Sequence, residues 1–305
     1  MEKQPVLLKH IINNFRIVLC ELYEDGEILN FIHYLAEDIL GWDRVAVHVN
    51  YDAAIEPVSV GRFDAALKRL ATAEPIQYII GKCWFDGMVF SVNPHVLIPR
   101  PETEQLCQLV KRDNAGKRFQ EFSVLDIGTG SGCIPVSLKN TFPYAKMTAV
   151  DIMPEAIQVA LENARYYKTE IDFYQIDILK ETNWSKVGQF DMIISNPPYV
   201  LEKEKALMHR NVLDYEPHEA LFVNDEEPLI FYRSIVSFSW RKLNRPGTLY
   251  LEINEQFGEQ VKRMVTSAGF EKSEVLKDIH GKDRFVRAEA RTSILDTSYW
   301  YADKQ

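Results

Sequence analysis

The segment SNPPYV, Ser195 to Val200, leaves a short apolar run, FDMII, through an asparagine, two prolines and a tyrosine. Prolines end a buried strand because they lack the N–H that a ladder needs, and they stiffen the turn that follows. The Asn196 side-chain carbonyl and the Pro197 main-chain carbonyl are both hydrogen-bond acceptors. Two acceptors on one stiff turn can take both protons of a planar –NH2 group, aiming its nitrogen without removing a proton first. Tyr199 supplies a ring that can stack on such a group or wall its pocket. A plain proline-terminated strand with a capping asparagine would use the same residues. That simpler reading explains neither the tyrosine directly behind the prolines nor their place beside a second polar cluster.

The second cluster is VLDIGTGSGCI, where Gly128, Gly130 and Gly132 follow a predicted strand. Glycines let the chain turn tightly and approach a ligand closely, and the helix behind them offers free N–H groups. The spacing is Gly-x-Gly-x-Gly, not the dinucleotide Gly-x-Gly-x-x-Gly. Asp126 precedes the turn, where a carboxylate can pair with a cationic group. Asp151 closes the next strand, at the position that grips ribose hydroxyls in doubly wound folds, although it could equally cap the helix that begins near Pro154. Asp177 ends the third strand, within reach of an adenine amino group. Three polar strand ends in succession lie along the carboxyl edge of one sheet, where such folds bind ligands, and together they favour a nucleoside cofactor.

The elements that must hold these residues are legible from Phe122 onward as alternating strands and helices. FSVLDIG, AKMTAVDI, IDFYQID, FDMIIS and GTLYLEI read as strands, and FEKSEVL and DRFVRAEA as the last two. CIPVSLKNTF, PEAIQVALENARYY, PLIFYRSIVSFSWRKL and QFGEQVKRMVTSAG read as helices between them. Such alternation predicts an α/β fold, a mostly parallel sheet with helices on both faces. The first seventy or so residues read as a small helical bundle: Ile28, Phe31, Ile32, Leu35 and Ile39 share one helical face, and Val60, Phe63, Leu67 and Leu70 another. Between the two, CWFDGMVFSV carries the hairpin signal Asp86-Gly87. LIPRPETEQLCQLV then opens a helix at Pro101, with Glu102 and Glu104 at its positive end. The predicted organisation is a helical domain at 1–74, a hairpin connector at 75–99, a ligand-binding domain at 100–291 and a tail at 292–305.

Composition narrows the function further. The chain has 305 residues, 46% of them hydrophobic and 26% charged, enough for two ordinary globular cores. No apolar stretch approaches the roughly 20 residues that span a bilayer, and the start lacks a signal peptide's apolar core, so a cytoplasmic protein is expected. The net charge of −9 argues against broad binding to nucleic-acid phosphates. Cys20, Cys83, Cys107 and Cys133 have no Cys-x-x-Cys spacing, and the seven histidines form no His-Glu-x-x-His pattern, so neither a metal site nor a disulfide framework is expected.

DIGTGSG followed by NPPY resembles the class I S-adenosylmethionine-dependent methyltransferases that modify planar nitrogen. More narrowly, the chain resembles the glutamine-N5 methyltransferases of peptide chain release factors. That resemblance runs from EPIQYIIG through LIPRPETE, NPPY, YEPHEAL and YLEINEQ to GKDRFV, and the helical start fits the family's small leading domain. It implies a Rossmann-like sheet and methyl transfer from S-adenosylmethionine to the glutamine of the Gly-Gly-Gln motif in class 1 release factors. It also implies that Gly128, Thr129, Gly130, Ser131 and Gly132 line the methionine part, that Asp151 holds the ribose, and that Asp177 and Ile178 sit by the adenine. Asn196, Pro197, Pro198 and Tyr199 would hold the substrate amide, with Asn196 touching the cofactor too; Arg100 and Glu102 fall in a motif near the site. No metal is implied. FVNDEEPL departs from the family, which has glycines there, and predicts an altered surface loop. A ribosomal-protein glutamine methyltransferase would share these motifs. A DNA adenine-N6 methyltransferase would need a backbone-gripping basic surface that the sequence lacks. A non-catalytic nucleoside-binding scaffold would have no use for an intact Asn196 and Tyr199.

Overall fold

The computed structural model describes residues 5–290, so the tail set apart at 292–305 lies outside them. The described chain forms two units: one runs to Lys82 and takes in Met208–Glu216, and the other is built from Cys83–Leu207 and resumes at Pro217.

In the first unit a short pair, β1 (Val6–Leu7) with β2 (Ala54–Ile55), accompanies α1 (Leu8–Leu19), α2 (Asp25–Leu40), α3 (Arg44–Val49), α4 (Pro57–Leu70) and α5 (Ile76–Ile80). The apolar stripes meet as their spacing requires: Phe31, Ile32 and Leu35 of α2 share a core with Phe63 and Leu67 of α4 and Phe15 of α1. Gly41, at φ 70°, ends α2 in the left-handed conformation that glycine adopts without strain. The unit does not stop at residue 74. Ile76 is buried in the helical core with Ile79 and Ile80 against it, and Arg69 braces the turn through Glu74 at 2.5 Å and the Ile79 carbonyl at 3.2 Å. The expected 75–99 connector is therefore not a separate element. Its start is helix α5, and its hairpin, β3 (Lys82–Phe85) and β4 (Met88–Ser91), buries Phe85 and Phe90 in the core of the second unit.

The second unit is organised around a seven-stranded sheet. In chain order it comprises α6 (Pro101–Asp113), β5 (Ser123–Ile127), α7 (Cys133–Thr141), β6 (Lys146–Asp151), α8 (Pro154–Tyr166), β7 (Ile171–Gln175) and β8 (Phe190–Ser195). After short strands β9 (Val200–Leu201) and β10 (Phe222–Val223), it continues with α10 (Ile230–Lys242), β11 (Leu243–Glu252), α11 (Gly258–Ser267), β12 (Glu271–Lys277) and β13 (Asp283–Ala290). The strand order is β12-β13-β11-β8-β5-β6-β7, and β13 alone runs against its neighbours. Alternate residues of the central strands feed opposite cores: Leu125, Ile127 and Ile193 pack with α10 and α11, whereas Val124, Met192 and Ile194 pack with α6 and α7. This is the Rossmann-like, doubly covered sheet that the alternation predicts. Among the described residues no helix is long and apolar enough to cross a membrane.

From β5 the chain winds outward through β6 and β7, then returns to β8 on the other side of β5. That reversal creates a crevice at the carboxyl ends of β5 and β8, where open α/β sheets bind ligands. Between β9 and β10, α9 (Arg210–Leu213) and its flanks belong to the helical unit. There Tyr215 donates its hydroxyl proton to the Thr72 carbonyl at 2.9 Å, and the His209 ring lies 5.9 Å from that of Tyr23.

Candidate active site

The register fixes the first geometric fact. Ile127 of β5 lies opposite Ser195 of β8, so Gly128 and Asn196 leave the sheet side by side. A β-carbon on Gly128 would come within 3.9 Å of the Asn196 carbonyl oxygen. Gly128 and Thr129 both donate main-chain hydrogen bonds to the Val150 carbonyl, at 2.9 and 3.0 Å, which ties the loop to β6. Gly128, Gly130 and Gly132 have φ of 75°, 52° and 77°, the left-handed region that disfavours any side chain.

Gly132 does something other than line a ligand. A β-carbon there would stand 2.9 Å from that of Ala160, so this glycine lets α7 and α8 approach, and it forms no part of the cavity wall. Asp151 likewise does not cap α8, whose cap position is Met153 with no side-chain bond. Its carboxylate instead accepts from the Gly130 N–H at 2.9 Å and the Met153 N–H at 3.0 Å, bracing the glycine loop from the neighbouring strand. Burial raises its pKa, and those backbone donors pull it back. Asp177 stands two residues beyond the end of β7, its carboxylate accepting from the Leu179 N–H at 3.0 Å and pairing with Lys180 at 3.1 Å.

These residues surround a cavity of about 620 Å³ whose wall includes Thr129, Gly130, Ser131, Asp151, Asp177, Ile178, Asn196, Pro197, Pro198 and Arg100. Asp126, expected at the cofactor, is not part of that wall; it is 1% exposed, and among the described residues neither of its carboxylate oxygens has a hydrogen-bond partner, nor do the hydroxyls of Thr129 and Ser131, which do line the cavity. Burial pushes the Asp126 carboxyl up to about 7; the Thr129 hydroxyl, near it but short of hydrogen-bond geometry, draws it down, and the Asp151 charge adds to the rise. Buried polar groups without partners are costly, and a cluster of them marks where a ligand supplies the missing bonds. An orphaned carboxyl, two hydroxyls, two acidic strand ends and an apolar wall from Ile152, Ile178 and Ile235 fit a cationic nucleoside such as S-adenosylmethionine.

The NPPY turn forms the adjoining wall. Asn196 donates from Nδ2 to the Thr103 hydroxyl at 2.9 Å, and Thr103 donates to Oε2 of Glu252 at 2.8 Å. The Tyr199 hydroxyl donates to Oε1 of Glu252 at 3.0 Å, and its main-chain carbonyl accepts from Asn254 at 3.2 Å. Neither Asn196 Oδ1 nor the Pro197 carbonyl accepts a hydrogen bond among the described residues. Both residues line the cavity, and two acceptors are thus left unengaged there.

Tyr199 differs from expectation. Its hydroxyl is drawn to Glu252, and the cavity wall passes from Pro198 to Pro217 without it. Glu102 is likewise absent from the wall, on the first turn of α6, while Arg100, at the cap position of that helix, is part of it. Thr103 and Glu252 go unnoticed in the sequence. Glu252 had a signal, a carboxylate at the end of the apolar run LYLEI, because a charge in a fully buried central strand needs a partner. Its own carboxyl is pushed up to about 7 by burial, opposed by the Thr103 and Tyr199 hydroxyls. The altered FVNDEEPL loop is a surface turn in which Asn224 accepts from the Glu226 N–H at 2.8 Å.

Comparison with known proteins gives two family matches: the PrmC N-terminal domain over residues 11–81 and the Methyltransferase small domain over residues 105–216. A release factor glutamine methyltransferase of Flavobacterium psychrophilum is 36% identical over 287 residues, covering 94% of this chain and 100% of that protein. Another, from Bacteroides thetaiotaomicron, is 41% identical over 271 residues, covering 88% of this chain and 95% of its own.

Proposed function

Since the chain belongs to the release factor glutamine methyltransferase family, we propose that it transfers a methyl group from S-adenosylmethionine to the side-chain nitrogen of a glutamine in class 1 peptide chain release factors. The observation that carries this reading is the pair of unengaged acceptors, Asn196 Oδ1 and the Pro197 carbonyl, beside a cavity floored by partnerless polar groups. Thr129 and Ser131 would hold the cofactor's polar end, with the buried Asp126 acting on it through its charge, Asp151 its ribose, and Asp177 with Ile178 its base. Bound there, the cofactor supplies an electrophilic methyl on a sulfonium.

An amide nitrogen is a poor nucleophile because its lone pair is delocalised into the carbonyl. Asn196 and Pro197 accept from its two N–H groups, which orients the nitrogen and stabilises positive charge building on it. Pro198 and the stiffness of the double proline keep both acceptors in place. Positioning of this kind is worth roughly 7–11 kcal/mol when the reacting atoms are well aligned. As the N–C bond forms the C–S bond would break, the demethylated thioether would leave, and the methylated nitrogen, now acidic, would give its surplus proton to water, so no strong base is needed.

The test is incubation with purified release factor, purified ribosomal protein and methyl-labelled cofactor, followed by peptide mapping. Label on the glutamine of the Gly-Gly-Gln motif is the expected result. Label confined to a ribosomal protein, or none on any glutamine, would overturn the assignment.

A further inference from the structure

Glu252 has no exposed surface, yet the reaction as derived gives it no part. It lies on β11, the strand that pairs with β8 behind the NPPY turn. Both of its oxygens accept, Oε2 from Thr103 at 2.8 Å and Oε1 from Tyr199 at 3.0 Å. A hydroxyl carries a single proton. While Glu252 is a carboxylate, as it is above pH about 7, Thr103 commits its proton to it and toward Asn196 can only accept. The end of the Asn196 side chain that faces it, at 2.9 Å, must then be the –NH2. The carbonyl is then the end turned away from Thr103, on a residue that lines the cavity.

An asparagine side chain has nearly the same shape with its oxygen and nitrogen exchanged. Without Glu252, Thr103 could donate to the Asn196 oxygen as readily as it accepts from the nitrogen. The flipped side chain would present –NH2 to the –NH2 of a substrate amide, donor against donor. We propose that Thr103 and Glu252 are positioning residues that select, of the two amide orientations of Asn196, the one that offers its carbonyl to the substrate nitrogen. The relay joins three segments far apart in the chain: the first turn of α6, the end of β8 and the end of β11. It rests on the reading that the turn receives a planar amide, and its test has one arm that requires no turnover.

Thr103→Val keeps the shape and removes the hydroxyl. It is expected to lower kcat about 10–100-fold, somewhat less than outright loss of a hydrogen-bonding group at a reacting centre. The Kd for the cofactor, by calorimetry, should stay within about twofold. Thr103→Ser, which restores donor and acceptor, should recover turnover to within about threefold of wild type. Because Thr103 and Glu252 act through Asn196, adding Thr103→Val or Glu252→Gln to Asn196→Ala should cost no further rate. Losses that multiply in the double variants, or a Thr103→Val enzyme as fast as wild type, would overturn the proposal. Independently of turnover, the Asn196 side-chain –NH2 resonance, assigned by its loss in Asn196→Ala, should exchange slowly with solvent in wild type and quickly in Thr103→Val and Glu252→Gln. Equal exchange in all three would overturn it as well, whichever protein proves to be the substrate.

Discussion

Asp126 and Glu252 are both deeply buried carboxyls pushed up to about 7, but Glu252 receives two hydroxyl protons and Asp126 receives none. Both folded values lie above those of an unfolded chain, so the folded protein retains protons that the unfolded chain has released. Their contribution to stability is present below the ordinary carboxylate range and lost as the pH rises through about 7. A bound cation reverses the preference at Asp126, because it favours the carboxylate. Cofactor affinity is therefore expected to rise with pH up to about 7 and level off above it. The slope should be no more than about tenfold per pH unit. Asp126→Asn should flatten that profile, and calorimetric titration from pH 6 to 8 distinguishes the two. At the reacting centre, Asn196→Ala should lower the single-turnover rate about 10²–10³-fold at saturating cofactor. Asn196→Asp keeps an acceptor of nearly the same shape and places a negative charge near the sulfonium, so it should retain more activity than alanine. An alanine variant as fast as wild type would make the turn purely structural.

At the scale of elements, the three glycines of the loop after β5 have separate duties, although the sequence presents them as one motif. Gly130 has open space where a side chain would go, whereas Gly132 faces the Ala160 β-carbon at 2.9 Å. Gly132→Ala adds overpacking to the left-handed backbone cost and should destabilise the fold by about 1–3 kcal/mol beyond Gly130→Ala, read from denaturant midpoints. Equal losses would show that α7 and α8 can part freely. Asp151 joins two elements, since its carboxylate accepts from the loop at Gly130 and from the start of the next segment at Met153. Asp151→Ala should leave a folded protein with cofactor affinity weakened by about 1.5–3 kcal/mol, the scale of hydrogen bonds to a charged group. Unchanged affinity would reduce Asp151 to a loop brace. The strands and helices that carry these residues were legible because apolar runs and periodic stripes are local signals. The Thr103–Glu252 contact was not, because its partners stand 149 residues apart and nothing near either one names the other. Tyr199 was legible as a functional residue but not in its direction, since the carboxylate that draws its hydroxyl belongs to a strand not yet made when the turn is read.

At the scale of the whole molecule, every residue of the cavity wall belongs to the second unit. A variant beginning at Cys83 is therefore expected to bind the cofactor with unchanged affinity yet methylate its protein substrate at least about tenfold more slowly, because a pocket for one amide cannot by itself choose one protein. Equal turnover of full-length and shortened chains would leave the helical unit only a stabilising role. The stripes of α2 and α4 announced that unit, but α9 did not announce itself. Met208–Glu216 has no periodic face, and its attachment depends on single contacts such as Tyr215 with Thr72. That attachment bears on the order of events during synthesis. A ribosome releases residues up to Lys82 long before it has joined Met208 to the chain, and until then the Thr72 carbonyl lacks the Tyr215 hydroxyl and the Tyr23 ring lacks the His209 ring. The part of the protein born first is finished late, after the glycine loop and the NPPY strand have already been translated.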